Sequence, residues 1–319
     1  MKKTYQKTHY FFLLAVIGIV LSCSNDDDST TSGCTEVNWY EDLDQDGLGN
    51  PEVLISSCEQ PIGYVDNNDD DNDTPTSPNN FFPLTNDNDW TYNVTTDDNT
   101  NPATNTTDII TVDETTTINT NDYYGMSSSA GSSGTMTQLF DQNYFRSETG
   151  VFYTDGNFTL PLSNFGGSDI VIDLNEAKLI DDSQANGTIL ESQSGTTAQN
   201  IGGFDLDIEY TFKTIQRETI SNHTVETVVY DNIIKSDIIL SLKVTTTVNI
   251  GVPIVVTLLD TQDVLSIKNY YADGIGLIDS NAIFTYQLED LSALPVTIPI
   301  PETATITTIQ KITAYTVAD

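Results

Sequence analysis

Basic residues are what this chain has least of for its size. Lys and Arg number 11 against 47 Asp and Glu, a formal net charge of −36 over 319 residues. Lys2, Lys3 and Lys7 stand at the start, and the next basic residue is Arg146. So acidic a chain repels nucleic acid and anionic lipid head groups, which excludes both as direct ligands. His9 and His223 are the only histidines. Zinc chemistry therefore lacks ligands, and a nucleophile–His–acid triad would have to rest on His223, with no Gly-x-Ser-x-Gly elbow present. His223 sits in a Ser-Asn-His-Thr segment between strand candidates and reads as a surface turn residue. No phosphate loop or dinucleotide fingerprint occurs. Sustained helical spacing is missing, as is any repeat of solenoid or propeller period. The apolar run from Tyr10 to Leu21 is too short to cross a bilayer comfortably.

What is present begins at the N-terminus. Three lysines, a short apolar core and Val20-Leu21-Ser22-Cys23 describe a secretory signal over residues 1–23. The order Val-Leu-Ser-Cys resembles a lipobox, the processing site of bacterial lipoproteins. That resemblance implies that Cys23 becomes the first residue of the mature chain and carries acyl chains such as palmitate. Asp26-Asp27-Asp28 just behind it looks like the export signal with which Bacteroidota lipoproteins reach the outer face of the outer membrane. The expectation is an outer-membrane protein, anchored by its lipid alone and exposed on the cell surface.

Residues 24–33 form a polar tether that cannot bury a core. Residues 34–73 are an acidic module, and residues 74–80 read as a stiff linker to a long C-terminal region, 81–319. Cys34 and Cys58 are an even pair in an exported chain, which favours a disulfide; closing a loop of about 25 residues contributes roughly 3 kcal/mol in the chain-entropy picture. Asp42, Asp44 and Asp46 alternate ahead of Gly47, so three carboxylates converge on one cation while glycine permits the turn that brings the Leu48 carbonyl inward. Position twelve of such a loop would be Val53, which cannot ligate, so a complete helix–loop–helix calcium motif is not expected. Hard oxygen donors and flexible geometry favour Ca²⁺. The bland alternative is a solvated acidic spacer. Trp39 and Tyr40 fit a small core beside the disulfide better than a sugar-stacking pair.

The run Trp39 to Gly49, then Cys58, then Pro61 to Asp71 resembles the MopE-type metal-binding repeat, similar in style to the calcium repeats of thrombospondin. The resemblance implies Asp42, Asp44 and Asp46 as first ligands, with Asp69 and Asp71 as their partners from the second cluster. Family members often carry cysteine where this chain has Asp70.

Beyond residue 80, Thr, Val, Ile, Tyr and Phe dominate. Alternation predicts strands at Met136–Phe140, Tyr144–Glu148, Val151–Tyr153, Ile170–Asp173, Phe204–Thr214, Thr224–Tyr230, Ile238–Val248, Val252–Leu259 and Val264–Ala272. Asp155-Gly156-Asn157 reads as a tight turn. Only Glu176–Ile180 and Leu288–Ser292 admit a short helix. The expected fold is all-β, a large antiparallel meander forming a curved sheet, sandwich or open barrel. Phe81 to Thr85, Asp89 to Tyr92 and Tyr270 to Ile278 resemble the ends of an uncharacterised β-rich domain of Bacteroidota lipoproteins, which implies no activity. The expectation is a non-enzymatic surface lipoprotein with a calcium-stabilised stalk and a β-domain for binding or envelope structure. The alternative is a carrier of a lipid or other hydrophobic ligand, and a glycan-active enzyme comes last. Glycan, protein and hydrophobic ligand all stay open as partners of the β-domain.

Overall fold

The structure, a computed structural model, describes residues 35–42, 47–61, 63–70, 79–141, 143–162, 167–249, 251–292 and 298–318. The chain divides into two compact units, Met1–Pro75 and Thr76–Asp319. Cys23, Cys34, Asp44, Asp46 and Asp71 lie outside the described residues.

The small unit is a three-stranded antiparallel sheet with strand order β2-β1-β3. Its strands are β1 (Val37–Glu41), β2 (Leu54–Ser57) and β3 (Tyr64–Val65). Trp39 is half-buried and donates its indole N–H to the Ser57 carbonyl at 3.2 Å, beside Cys58. Cys58 stands just past β2, and Cys34, its expected partner, lies outside the described residues.

The large unit holds twelve strands in one antiparallel sheet. They are β4 (Asp89–Asp97), β5 (Thr104–Ile118), β6 (Asn121–Ser128), β7 (Tyr144–Glu148), β8 (Val151–Leu160), β9 (Ile170–Asp181), β10 (Ile189–Ile201), β11 (Phe204–Val225), β12 (Val228–Asn249), β13 (Pro253–Ala272), β14 (Gly276–Gln287) and β15 (Thr303–Thr316). Two six-stranded meanders, β4 to β9 and β10 to β15, join where β15 pairs with β4. The sheet thus rolls into a nearly closed barrel whose two free edges are β9 and β10.

Among the described residues that seam carries no ladder, and side chains bridge it instead. Thr214 of β11 donates its hydroxyl to the Lys178 carbonyl of β9 at 2.6 Å. The Gln216 side-chain oxygen accepts from the Asp181 amide at 2.9 Å, and the Gln199 side-chain oxygen from the Ser168 amide at 3.0 Å.

Alternation along each strand sends apolar side chains inward and Thr, Asn, Lys and Asp outward. This polarity is the reverse of a lipid-facing barrel wall. Among the described residues no helix is long and apolar enough to cross a membrane. Phe82 plugs one end of the interior, stacked on Phe152 at 4.6 Å and packed on Trp90 at 4.8 Å and Phe140 at 5.1 Å. Trp90 and Tyr92 donate to the carbonyls of Ile275 and Leu277 at 2.6 and 3.0 Å.

Five local expectations are corrected. Met136–Phe140 is helical, within α1 (Thr135–Asp141), because Met136, Leu139 and Phe140 bury one face at i, i+3 and i+4. Asp155-Gly156-Asn157 is no turn: β8 runs through it, and the register shift at Gly156 (φ 142°) is a bulge. Glu176–Ile180 belongs to strand β9, and Leu288–Ser292 forms no helix. The turn between β11 and β12 falls at Glu226 and Thr227, inside the segment expected to be one strand.

Candidate functional site

Two places bring chemistry-bearing residues together. The first is in the small unit. Asp42 follows β1 directly, and its Oδ2 accepts from the Gly47 amide at 3.2 Å. Gly47 has φ 88°, a conformation that side chains resist. Asn67 clamps the loop from the other side: its Nδ2 donates to the Gly47 carbonyl at 2.8 Å, and its Oδ1 accepts from the Gly49 amide at 3.1 Å. The Asp70 amide donates to the Gly49 carbonyl at 3.3 Å. The second acidic cluster is therefore folded onto the first loop.

Asp70 is buried at 7% exposure, whereas Asp69 is exposed and Leu48 points its side chain outward at 39%. Asp42 Oδ1 is buried and makes no hydrogen bond among the described residues. A carboxylate oxygen held that way fits a hard cation, since an ion supplies what no donor supplies. Among the described residues no three acidic, His or Cys side chains form a metal cluster. Asp44, Asp46 and Asp71, the other carboxylates named for the ion, lie outside that set.

The second place is the barrel interior. One row of inward side chains runs across neighbouring strands in strict register: Gln216, Ser236, Asn269, Ser280 and Gln310. All five are buried to 2% exposure or less. Alternation assigns such positions to the core, so polar residues there form a belt across an otherwise apolar interior. Ser236 Oγ, both amide atoms of Asn269, Gln310 Nε2 and the Tyr271 hydroxyl make no hydrogen bond of normal geometry among the described residues. Burial pushes the Tyr271 hydroxyl well above the usual tyrosine range, with the facing Ser236 hydroxyl opposing the shift. Burial also raises Tyr92, and Tyr271 adds to it. Both phenols stay neutral at any ordinary pH.

Asp108 anchors the neighbouring wall. It is fully buried, and its carboxylate accepts from the Thr106 hydroxyl at 2.9 Å, the Ser133 amide at 3.1 Å and the Gly134 amide at 2.7 Å, just ahead of α1.

Below the belt, away from the aromatic plug, the interior opens into a cleft of about 450 Å³ between α1, β8 and the β13–β15 wall. Thr96, Gln138, Asn157 and Thr308 give it polar patches; Leu160, Leu265 and Ile306 give it apolar ones. At Phe284 it meets a smaller cavity of about 70 Å³ walled only by apolar and aromatic residues, including Leu206, Leu242, Leu258 and Tyr286. Among the described residues Asp169 is the only charged one lining either space. A wider recess of about 660 Å³ near Asp87, Asp113 and Asp141 is a shallow polar surface feature.

His223 lies within β11, paired with Tyr230, and so is no turn residue. Its Nε2 is 2.9 Å from Asp279, and its ring stacks on Tyr270 at 4.2 Å. Among the described residues the ring's side-chain contacts are Asp279 and Tyr270. The belt and the cleft were missed in the sequence; their signal is a polar residue at an inward position, as in Ile267-Lys268-Asn269-Tyr270-Tyr271, where Asn269 takes the core parity.

No family model and no curated protein matches the chain. Two solved structures overlap it loosely. One is a lipoprotein candidate from Parabacteroides distasonis, with 10% identity, TM-score 0.32, and coverage of 75% of this chain and 100% of that one. The other is a candidate exported protein with a YmcC-like fold from Bacteroides fragilis, with 13% identity, TM-score 0.27, and coverage of 74% and 100%. Likeness at this level carries neither fold detail nor function to the present chain.

Proposed function

We propose that this is a non-enzymatic lipoprotein of the bacterial envelope whose barrel binds an uncharged amphipathic ligand. The Val20–Cys23 motif supports the lipid anchor at Cys23, and the acidic triplet behind it supports export to the outer membrane and the cell surface. The observation that carries the binding role is the interior cleft: about 450 Å³ with mixed lining, continuing at Phe284 into a purely apolar end. That size lies within the range of about 300–1,000 Å³ usual for small-molecule sites. With no cation in the lining, an anionic head group finds no partner; hydroxyls or amides would meet Thr96, Gln138 and Thr308, and a hydrocarbon tail the Leu-rich end. The carrier reading thereby takes precedence over a purely structural role.

The acidic module is read as a calcium-stiffened stalk. Asp42, Asp44, Asp46 and the Leu48 carbonyl supply the loop, and Asp69 to Asp71 the second side. The buried, unpartnered Asp42 Oδ1 supports this reading, as does the Asn67 clamp that folds one acidic segment onto the other. Cys58 is read as the partner of Cys34.

Native mass spectrometry of protein purified from its own host tests the carrier role. The protein should retain a neutral apolar species, and Thr308→Trp, which projects an indole into the cleft from a half-buried position, should abolish retention while the circular dichroism spectrum stays unchanged. A bare mass for the parent protein, together with unaltered uptake of an apolar fluorescent probe by the variant, would refute it.

A further inference from the structure

The hairpin joining β12 and β13 outruns the barrel. On one side, the ladder from β11 ends at Leu206–Thr246; on the other, the ladder to β14 starts only at Leu265. Over Thr247–Asn249 and Pro253–Thr257 the two arms pair with each other, and with no third strand among the described residues, beyond the β11 ladder's end at Thr246. Apolar side chains stand exposed at the tip, Val252 at 60%, Ile254 at 42% and Val255 at 70%, while Val248 opposite Ile254 is buried. Ile254 and Val255 are consecutive strand residues, so they face opposite sides of the hairpin. From Val244 to Leu259 the chain carries no Asp, Glu, Lys or Arg, in a protein with 47 acids.

We infer that this tip inserts shallowly into a lipid bilayer. A protein partner would cover one face of the hairpin; exposed apolar side chains on both faces suit a medium that surrounds the tip. The absence of charge points the same way, because each carboxylate carried into the interface would lose hydration. Net charge of −36 would repel an anionic surface at long range, so zwitterionic lipid is the matching chemistry. The arms' outer edges have no strand partner, which limits the depth: unpaired backbone groups cannot enter the hydrocarbon core. Penetration to about 5–10 Å, the head-group and acyl boundary, is the expected position. The root of the same hairpin supplies Leu242, Val244, Leu258 and Leu259 to the apolar cavity, so the docked tip would set that end of the barrel toward the bilayer. This inference goes beyond the ligand-binding role and does not rest on it.

The test uses the full-length protein with Val255→Trp, added to phosphatidylcholine vesicles with and without brominated acyl chains. Trp39 and Trp90 are subtracted with the parent protein. The new indole should shift to the blue on vesicles and be quenched at least twofold by bromines near the carbonyl region. Adding Val252→Asp and Ile254→Asp should restore water-like, unquenched emission, while far-ultraviolet circular dichroism stays the same. Emission unchanged by vesicles overturns the inference. So does a blue shift that grows with protein concentration in the absence of lipid, which would make the tip a contact between copies. Ligand retention, read separately by mass, is indifferent to either result.

Discussion

Gly49 is the position where the small unit tolerates least. Its φ is ordinary, so the requirement is space. A Cβ there would lie 2.4 Å from the Asn67 carbonyl oxygen, 2.5 Å from Tyr40 Cβ and 2.8 Å from Val65 Cγ2. Two of the three obstacles are main chain or Cβ and cannot swing aside. Gly49→Ala must therefore separate the loop from the Asn67 segment. Overpacking of this kind costs about 1–3 kcal/mol, and the two clamp bonds through Asn67 contribute roughly 0.5–1.5 kcal/mol each. A net loss of about 2–4 kcal/mol is expected after partial relaxation. If cation binding requires the closed arrangement, the apparent calcium affinity should fall by at least about tenfold, since 1.4 kcal/mol is one decade. Calorimetric titration of the full chain with calcium reads this directly. Gly47→Ala is the contrast: nothing crowds its Cβ, but φ 88° strains any side chain, at about 1–2 kcal/mol. A Gly49→Ala protein binding calcium within twofold of the parent would refute the claim that the two acidic segments act as one site.

Three further outcomes follow from the barrel. Asp108→Ala strips the acceptor from two backbone amides ahead of α1 and should lower stability by about 2–4 kcal/mol; thermal unfolding should drop by roughly 5–15 °C for a domain of this size. At Asp181, burial is the largest influence and would raise the carboxyl, but Lys178 at 2.6 Å and the Ser183 hydroxyl outweigh it and hold the group below its ordinary value. A depressed native pKa gives stability that is complete above the unfolded value and lost as pH falls through the native one, so the seam should weaken below about pH 4. Asp181→Asn should flatten that acid limb in urea midpoints taken from pH 6 to pH 2; an unchanged limb would count against it. Gly156→Ala, with φ 142° and a would-be Cβ only 2.0 Å from Asn143 Oδ1, should cost about 2 kcal/mol or more in the same urea assay.

The all-β antiparallel class was legible because Thr, Val, Ile and Tyr alternate over long stretches, and Tyr144–Glu148 was read to its ends. The strands β6, β10, β14 and β15 escaped notice; β10 and β15 are rich in Thr with Ser or Gln, and pairing with neighbours stabilises them more than their own propensity does. α1 was mistaken for a strand because a five-residue apolar run satisfies both periods, and only burial at i, i+3 and i+4 separates them. Barrel closure was not legible at all. It rests on β15 meeting β4, a pairing more than two hundred residues apart, and nothing local encodes it. In the acidic module the glycine turn at Gly47 was readable. That Asn67 is the clamp and Asp70 the buried acid was not, because both follow from how β3 returns alongside β1.

The seam between β9 and β10 has a mechanical meaning. A cylinder stitched all round by backbone ladders must break several of them to widen. Among the described residues this one has a line along β9 bridged by side chains: a threonine hydroxyl and a glutamine amide from β11 and a glutamine amide from β10. Its circumference can yield there while every strand keeps its partners. The short Asp182–Thr188 connection ties the two lips together at one end, so any widening would start from the other.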